Sequence, residues 1–223
     1  VYASSTTKYT STASIPKNTR SEKMSILLHV CCGPCLVYPA RVLEGEGTDF
    51  TCYFFNPNIH PYREFKKRLT SFIDLADSRN YNYIIDRDYG LKMFLRQVVF
   101  NEEQRCKFCY QMRLGNAATL AVEKGFSGFS STLLYSTYQN HSLIKKQAAR
   151  AAELHSIPFV YHDFRVGWQQ GIDESKACNL YRQSYCGCLF SEQERYDNRL
   201  KKQLKRKLKS DVQPPRSGHD QSK

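Results

Sequence analysis

The chain has 223 residues, 41% of them hydrophobic and 24% charged, with a formal net charge of +12. That length supports one domain with a sizeable core. No apolar run reaches the roughly 20 residues of a membrane span, and no charged start, apolar middle and small-residue cleavage site marks a signal peptide, so the sequence reads as soluble and not secreted.

The charge excess sits at the ends. Residues 1–24 and 197–223 carry net charges of +3 and +6, against +3 for the whole of 25–196. Residues 1–23 are rich in Ser and Thr, with Glu22 as the one acid; they are expected to be disordered or targeting-like and to add nothing to a core. Met24 opens the expected catalytic domain, 24–196, and 197–223 forms a basic tail. Within it KKQLKRKLK (Lys201 to Lys209) reads either as a tail that strengthens nucleic-acid binding without reading sequence or as a solvated helix end, and composition alone favours the helix end.

Ile26 to Val30 reads as a buried strand, and it runs directly into Cys31-Cys32-Gly33-Pro34-Cys35, where Gly33 and Pro34 are expected to turn the chain away. Cys52 to Phe55 is a second strand, ended by Asn56-Pro57-Asn58, and Pro61 suits the first turn of a helix. In that helix Phe65, Leu69, Phe72, Ile73 and Ala76 form the apolar stripe, which leaves Arg63, Lys66, Lys67 and Arg68 mostly to the surface. Tyr83 to Ile85 is a third strand and Leu91 to Val99 a helix. Cys106 and Cys109 open the next helix, in which Leu114, Ala117, Ala118, Ala121 and Val122 share a face and which Gly125 ends. A strand over Phe126 to Leu134, a helix over His141 to His155, a strand over Pro158 to Phe164 and a polar helix from Ser191 complete the chain. Alternating strands and helices predict an α/β fold with a mainly parallel sheet and flanking helices.

In such sheets ligands sit beyond the carboxyl ends of the strands, and there the cysteines cluster. The nine are at 31, 32, 35, 52, 106, 109, 178, 186 and 188, a grouping that in a non-secreted protein points to metal or redox chemistry. Cys106 and Cys109, spaced i,i+3, aim to one side of a helix N-terminus that favours thiolates. With Cys31 and Cys32 they would complete a four-thiolate site for zinc or an iron–sulfur cluster. The pair Cys186 and Cys188 reads as a strained, labile disulfide, as two further metal ligands, or as a tight turn. Cys52 and Cys178 lack partners, and Cys35 carries no assigned role.

The stretches LLHVCCGPC, FFNPNIHPYREFKKR, RCKFCYQMRL, STLLYSTYQNH, HDFRVGW and YRQSYCGCLFS resemble, in order, the epoxyqueuosine reductase QueH family. The resemblance runs from about residue 26 to 191 and implies a single HUP/PP-loop-like domain. It implies reduction of epoxyqueuosine to queuosine at the wobble position of tRNA, the last step of queuosine biosynthesis, in the cytoplasm or, with a genuine transit segment in 1–23, in an organelle. Cys31, Cys32, Cys106 and Cys109 would then hold a 4Fe-4S cluster, Cys186 and Cys188 would form a redox-active disulfide, and an additional iron would lie beside the cluster, with Asp163 a candidate ligand. The partners implied are tRNA carrying epoxyqueuosine and an electron donor. The chain departs from the family pattern at Tyr135-Ser136-Thr137, where a less bulky stretch ending in proline is expected, and keeps Tyr138-Gln139-Asn140-His141.

Candidate proton donors are His29, His141 and Asp163. Candidates for holding an unstacked base are Tyr135, Tyr138, Arg165, Trp168, Tyr181 and Arg182, and for phosphates Lys66, Lys67, Arg68, Lys145 and Lys146. The rival readings are a zinc-binding RNA module and an ATP-dependent PP-loop-type tRNA-modifying protein. Against ATP, CCGPC stands where a phosphate loop would follow the first strand, and Pro34 removes an amide.

Overall fold

The computed structural model describes residues 24–199, 201–203 and 206. The expectations for residues 1–23 and for most of the basic tail fall outside the described residues. In chain order the elements are β1 (Ser25–Val30), α1 (Gly33–Gly45), β2 (Asp49–Phe54), α2 (Tyr62–Ser78), β3 (Tyr83–Ile85), α3 (Leu91–Val98), α4 (Arg105–Glu123), β4 (Gly128–Ser131), α5 (His141–His155), α6 (Trp168–Ala177) and α7 (Leu189–Tyr196). Short 3-10 turns cover Thr132–Tyr135 and Phe164–Gly167.

The four strands are all parallel, in the order β3-β2-β1-β4. The alternation of β1 explains its central place. Ile26, Leu28 and Val30 face one core with residues of α1 and α2, whereas Leu27 faces a second core built largely from α4 and α5. A strand buried on both faces needs the continuous apolar run that this one has. From β1 the chain winds outward through β2 and β3, then returns to lay β4 on the other side of β1. The carboxyl ends of β1 and β4 therefore flank the topological switch point of the sheet.

Two local expectations change. Gly33 and Pro34 do not turn the chain away. They start α1, with Cys32 as an extended N-cap and Pro34 in the first turn, where its missing N–H has no helical partner to lose. The stretch Pro158 to Phe164 is not a full strand: it makes a single parallel bridge, Phe159 to Phe129. Phe129 N donates to Pro158 O and Val160 N to Phe129 O. Beyond Val160 the chain leaves the sheet, and Asp163 caps the following 3-10 turn.

Gly33 fixes how closely α1 and α2 approach, because a Cβ there would overlap the carbonyl oxygen of Ser71 on α2. Replacing Gly33 by Ala is expected to destabilise the fold by about 1–3 kcal/mol, the usual cost of overpacking. Urea denaturation checks this; an unchanged midpoint would show that α1 shifts freely.

Candidate functional site

β1 ends at Val30, so Cys31 and Cys32 emerge at the switch point, and α1 returns Cys35 to them after one turn. The three Sγ atoms lie within 4.8 Å of one another, with Cys31 and Cys32 3.8 Å apart. Thr132, just beyond β4, lies with its hydroxyl 3.6 Å from the Cys31 sulfur. Cys31 is held well below the usual thiol range by the Cys32 and Cys35 thiols, helped by Arg113, while Cys32 is pushed up by burial and Cys35 by its two neighbouring thiols. Cys31 is also the most accessible of the three.

Cys106 and Cys109 occupy the first turn of α4, as the spacing predicts. Burial outweighs the helix terminus, however, and pushes Cys106 up to about 11 and Cys109 up to about 12. Their electrostatic neighbours include Cys186 and Cys188. Among the described residues, the sulfurs that gather tightly are therefore those of Cys31, Cys32 and Cys35, while Cys106 and Cys109 share a neighbourhood with Cys186 and Cys188. All nine cysteines are free thiols, Cys186 exposed and Cys188 buried.

Arg113 links the two groups. It is 2% exposed and donates from Nε to His29 Nε2 at 3.2 Å, from Nη2 to Asn56 Oδ1 at 2.8 Å and from Nη1 to Cys109 Sγ at 3.9 Å. Cys109, Cys31 and Cys186 are the groups whose charge stabilises its cation. No carboxylate pairs with it among the described residues. A buried cation without an anion is costly, so the chemistry of this donor set fits a metal centre, whose thiolate ligands are deprotonated on binding.

These groups open into a pocket of about 580 Å³. Cys31, Cys35, Cys186, Arg68 and Arg113 line it together with Tyr135, Tyr138 and Trp168. Trp168 lies 4.9 Å from the Tyr135 ring and 5.6 Å, edge to face, from Tyr138, which is 87% exposed. Arg182, Arg195 and Lys201 also line the pocket.

The other candidates separate clearly. His29 is fully buried. Burial holds it neutral, with its pKa lowered to about 3; its Nδ1 lies 2.9 Å from Ser131 Oγ, and its Nε2 lies 3.1 Å from the Phe55 carbonyl oxygen and 3.2 Å from Arg113 Nε. That makes it a structural link. Asp163 is in a bidentate pair with Arg165, at 2.7 and 2.6 Å, and His141 contacts the Tyr161 hydroxyl at 3.1 Å. None of these three lines the pocket. Lys66, Lys67, Lys145 and Lys146 are exposed as expected, but Arg68 is buried. Cys52 is buried within β2, and Cys178 is exposed.

Sequence reasoning left Cys35 unassigned and did not single out Thr132, Gln139 or Arg113. Arg113 was signalled only by its i+4 spacing from Cys109, which puts both on one helix face.

A thiol-lined pocket at the switch point of a wound parallel sheet defines an α/β protein with cysteines directly after its first strand. In place of a row of free amides, the first strand is followed by a helix with proline in its first turn. The chain belongs to the epoxyqueuosine reductase QueH family, which it matches over residues 26–194. It is 34% identical over 171 residues to the epoxyqueuosine reductase QueH of Dehalococcoides mccartyi, covering 77% of this chain and 94% of that protein. It is 31% identical over 191 residues to that of Thermotoga maritima, covering 82% and 97%. Among solved structures, its fold resembles the U34-tRNA thiolase NcsA from Methanococcus maripaludis with its 4Fe-4S cluster. The TM-score is 0.51 at 15% identity, over 85% of this chain and 66% of that one, a likeness of fold alone.

The three gathered sulfurs generate a direct test. In anaerobically stripped protein, cobalt(II) should bind with a thiolate charge-transfer band. Cys35→Ser should weaken that binding by more than about 10-fold, the least expected for loss of a ligand when outer-shell changes alone cost 10–100-fold. Cys178→Ser should bind as wild type. Equal binding by the Cys35 variant would remove Cys35 from the site.

Proposed function

We propose that this chain is an iron–sulfur reductase that converts epoxyqueuosine to queuosine at the wobble position of tRNA, in the cytoplasm. The observation that carries the reading is the pocket itself, which joins thiols and buried guanidinium groups on one side to the exposed Tyr138 ring and half-buried Trp168 on the other. Family membership supplies the substrate, and residues 24–196 form the catalytic domain.

Cys31, Cys32, Cys106 and Cys109 would hold a 4Fe-4S cluster, with Cys35 left to bind an adjacent iron. Such a cluster, when bound, supplies electrons one at a time. Converting the epoxide to the alkene takes two electrons and two protons and releases the oxygen as water. Cys186 and Cys188 match that demand: as a dithiol they lose two electrons and two protons and become a disulfide, which an external electron donor then returns to the dithiol. Cys186 suits the task because it is exposed and lines the pocket. Gln139 Nε2 donates to its sulfur at 3.1 Å and orients it.

The base must leave its stack to reach these thiols. Tyr138 and Trp168 offer ring faces and edges at the mouth, and Arg182, Arg195 and Lys201 offer positive charge to the flanking phosphates. The zinc-module alternative leaves this pocket and the C-x-C pair without a task.

Protein purified without oxygen should contain iron and labile sulfide and convert an anticodon stem-loop carrying epoxyqueuosine to the queuosine form, followed by nucleoside mass spectrometry with a chemical reductant. Cys186→Ser should abolish turnover and keep the iron. Zinc with no sulfide would overturn the reading. Tyr138→Ala should raise KM about 5- to 100-fold with kcat little changed, from the loss of one base–aromatic stack. The chain has one tryptophan, so quenching of Trp168 fluorescence by the stem-loop gives the same comparison without turnover; unchanged affinity would remove Tyr138 from the recognition surface.

A further inference from the structure

Arg68 was expected on the solvated face of α2. It is instead 1% exposed, and its three donor directions are all used. Nε donates to Glu64 Oε1 at 2.7 Å, Nη1 to the Cys186 carbonyl at 2.8 Å and Nη2 to the Tyr185 carbonyl at 2.9 Å. The Tyr185 ring lies 5.5 Å from the guanidinium. The second oxygen of Glu64 accepts from the Tyr181 hydroxyl at 2.5 Å. One Glu–Arg pair on α2 therefore grips the segment from Tyr181 to Cys186.

The grip continues on the far side. His60 N donates to the Gly187 carbonyl at 2.8 Å, the Tyr185 hydroxyl donates to the His60 carbonyl at 2.5 Å and Gly187 N donates to Ser191 Oγ at 3.1 Å. Gly187 has φ +144°, and a Cβ there would stand 3.2 Å from both Arg68 Nη1 and Ile59 Cγ1, so only glycine allows the loop to lie this close to the guanidinium.

We propose that Arg68 is the positioning residue of the Cys186-Gly187-Cys188 loop, holding two consecutive carbonyls so that both sulfurs stay confined beside the pocket. The proposal rests on the redox reading of that pair given above. A phosphate-binding role is closed to a side chain this buried. A role in packing alone does not account for the charge, since a buried ion pair is commonly matched or exceeded in stability by apolar residues of the same volume. What an apolar residue cannot do is donate to two successive carbonyls, and a lysine lacks the planar fork that fits them. Pinning the loop keeps the Cys188 thiol at a high effective concentration next to Cys186.

The test is a glutathione redox titration of the anaerobic, metal-loaded full chain. Two thiols react with one glutathione disulfide to give the Cys186–Cys188 disulfide and two glutathione thiols, and alkylation with peptide mass spectrometry reads out that pair alone. Arg68→Met and Arg68→Lys should both lower the equilibrium constant about tenfold, equal to about 30 mV, with exposed Arg63→Met as the control at the wild-type value. Gly187→Ala, with Arg68 intact, should shift it the same way and decides the matter if the Arg68 variants do not fold. Rescue by lysine would show that charge alone is at work and overturn the proposal. Wild-type values in folded Arg68 variants, or in Gly187→Ala, would overturn it while leaving the redox pair standing. A wild-type pair that never forms a disulfide would overturn both.

Discussion

A buried positive charge with no carboxylate beside it among the described residues holds the functional end of this molecule together. Arg113 on α4 reaches His29 near the end of β1, Asn56 just beyond β2 and Cys109 one turn back on its own helix. Asn56 in turn donates to the carbonyl of Val30, the last residue of β1. Three segments distant in sequence are thus fixed around one guanidinium. Its desolvation is tolerable only if negative charge lies nearby, and the groups able to supply that charge are thiols. The electrostatics of the core and the chemistry of the pocket are the same fact. The cation that ties strand ends to helix pulls the Cys31, Cys109 and Cys186 thiols down, although at Cys109 and Cys186 burial outweighs it and leaves them raised.

The second buried arginine solves a different problem. Arg68 has a carboxylate counterion, Glu64, beside the Cys32 and Cys31 thiols that also favour its cation. Its remaining donors are free for backbone carbonyls, which carry no net charge but must be met when buried. One arginine is defined by the anion it lacks and the other by the carbonyls it holds. Both line the same pocket, one from each face of the sheet, since α4 and α2 belong to opposite cores.

Much of this was legible in the sequence because it is written in local pattern. The apolar run Ile26 to Val30, the stripe from Phe65 to Ala76 and the alanine face of α4 each specify an element through periodicity. The cysteine groups announced themselves by position at the end of a strand and the start of a helix. Part of what stayed hidden depends on contacts across more than fifty residues. Nothing in the sequence around Arg68 says that Tyr185 and Cys186 will present carbonyls to it, so amphipathicity alone assigned it to solvent. Helix α1 was masked by a proline that reads as a breaker and acts as a helix start. Cys35 looked spare because its nearness to Cys31 and Cys32 exists only once α1 is recognised. The expected strand after Pro158 failed for the converse reason: β-forming residues there gain only one bridge before Asp163 diverts the chain.

The seating of Tyr135 shows how the aromatic side of the pocket is built. Tyr135 is buried, with its hydroxyl donating to the Trp168 carbonyl at 2.9 Å and its ring stacked 6.3 Å from Tyr38. Its room is made by Gly171, where a Cβ would overlap the Tyr135 hydroxyl, while Gly167 leaves space for Tyr38. The large residue on one segment and the glycines one turn apart on another are complementary. Trp168 lies between those glycines in sequence, so the packing that seats Tyr135 also aims the indole at Tyr138 and the pocket mouth. Tyr135 therefore does not close the pocket; it becomes the backing on which half-buried Trp168 and the exposed Tyr138 ring stand. That leaves the two sides chemically unlike: thiols and guanidinium groups fixed by buried charge, and aromatic rings fixed by shape.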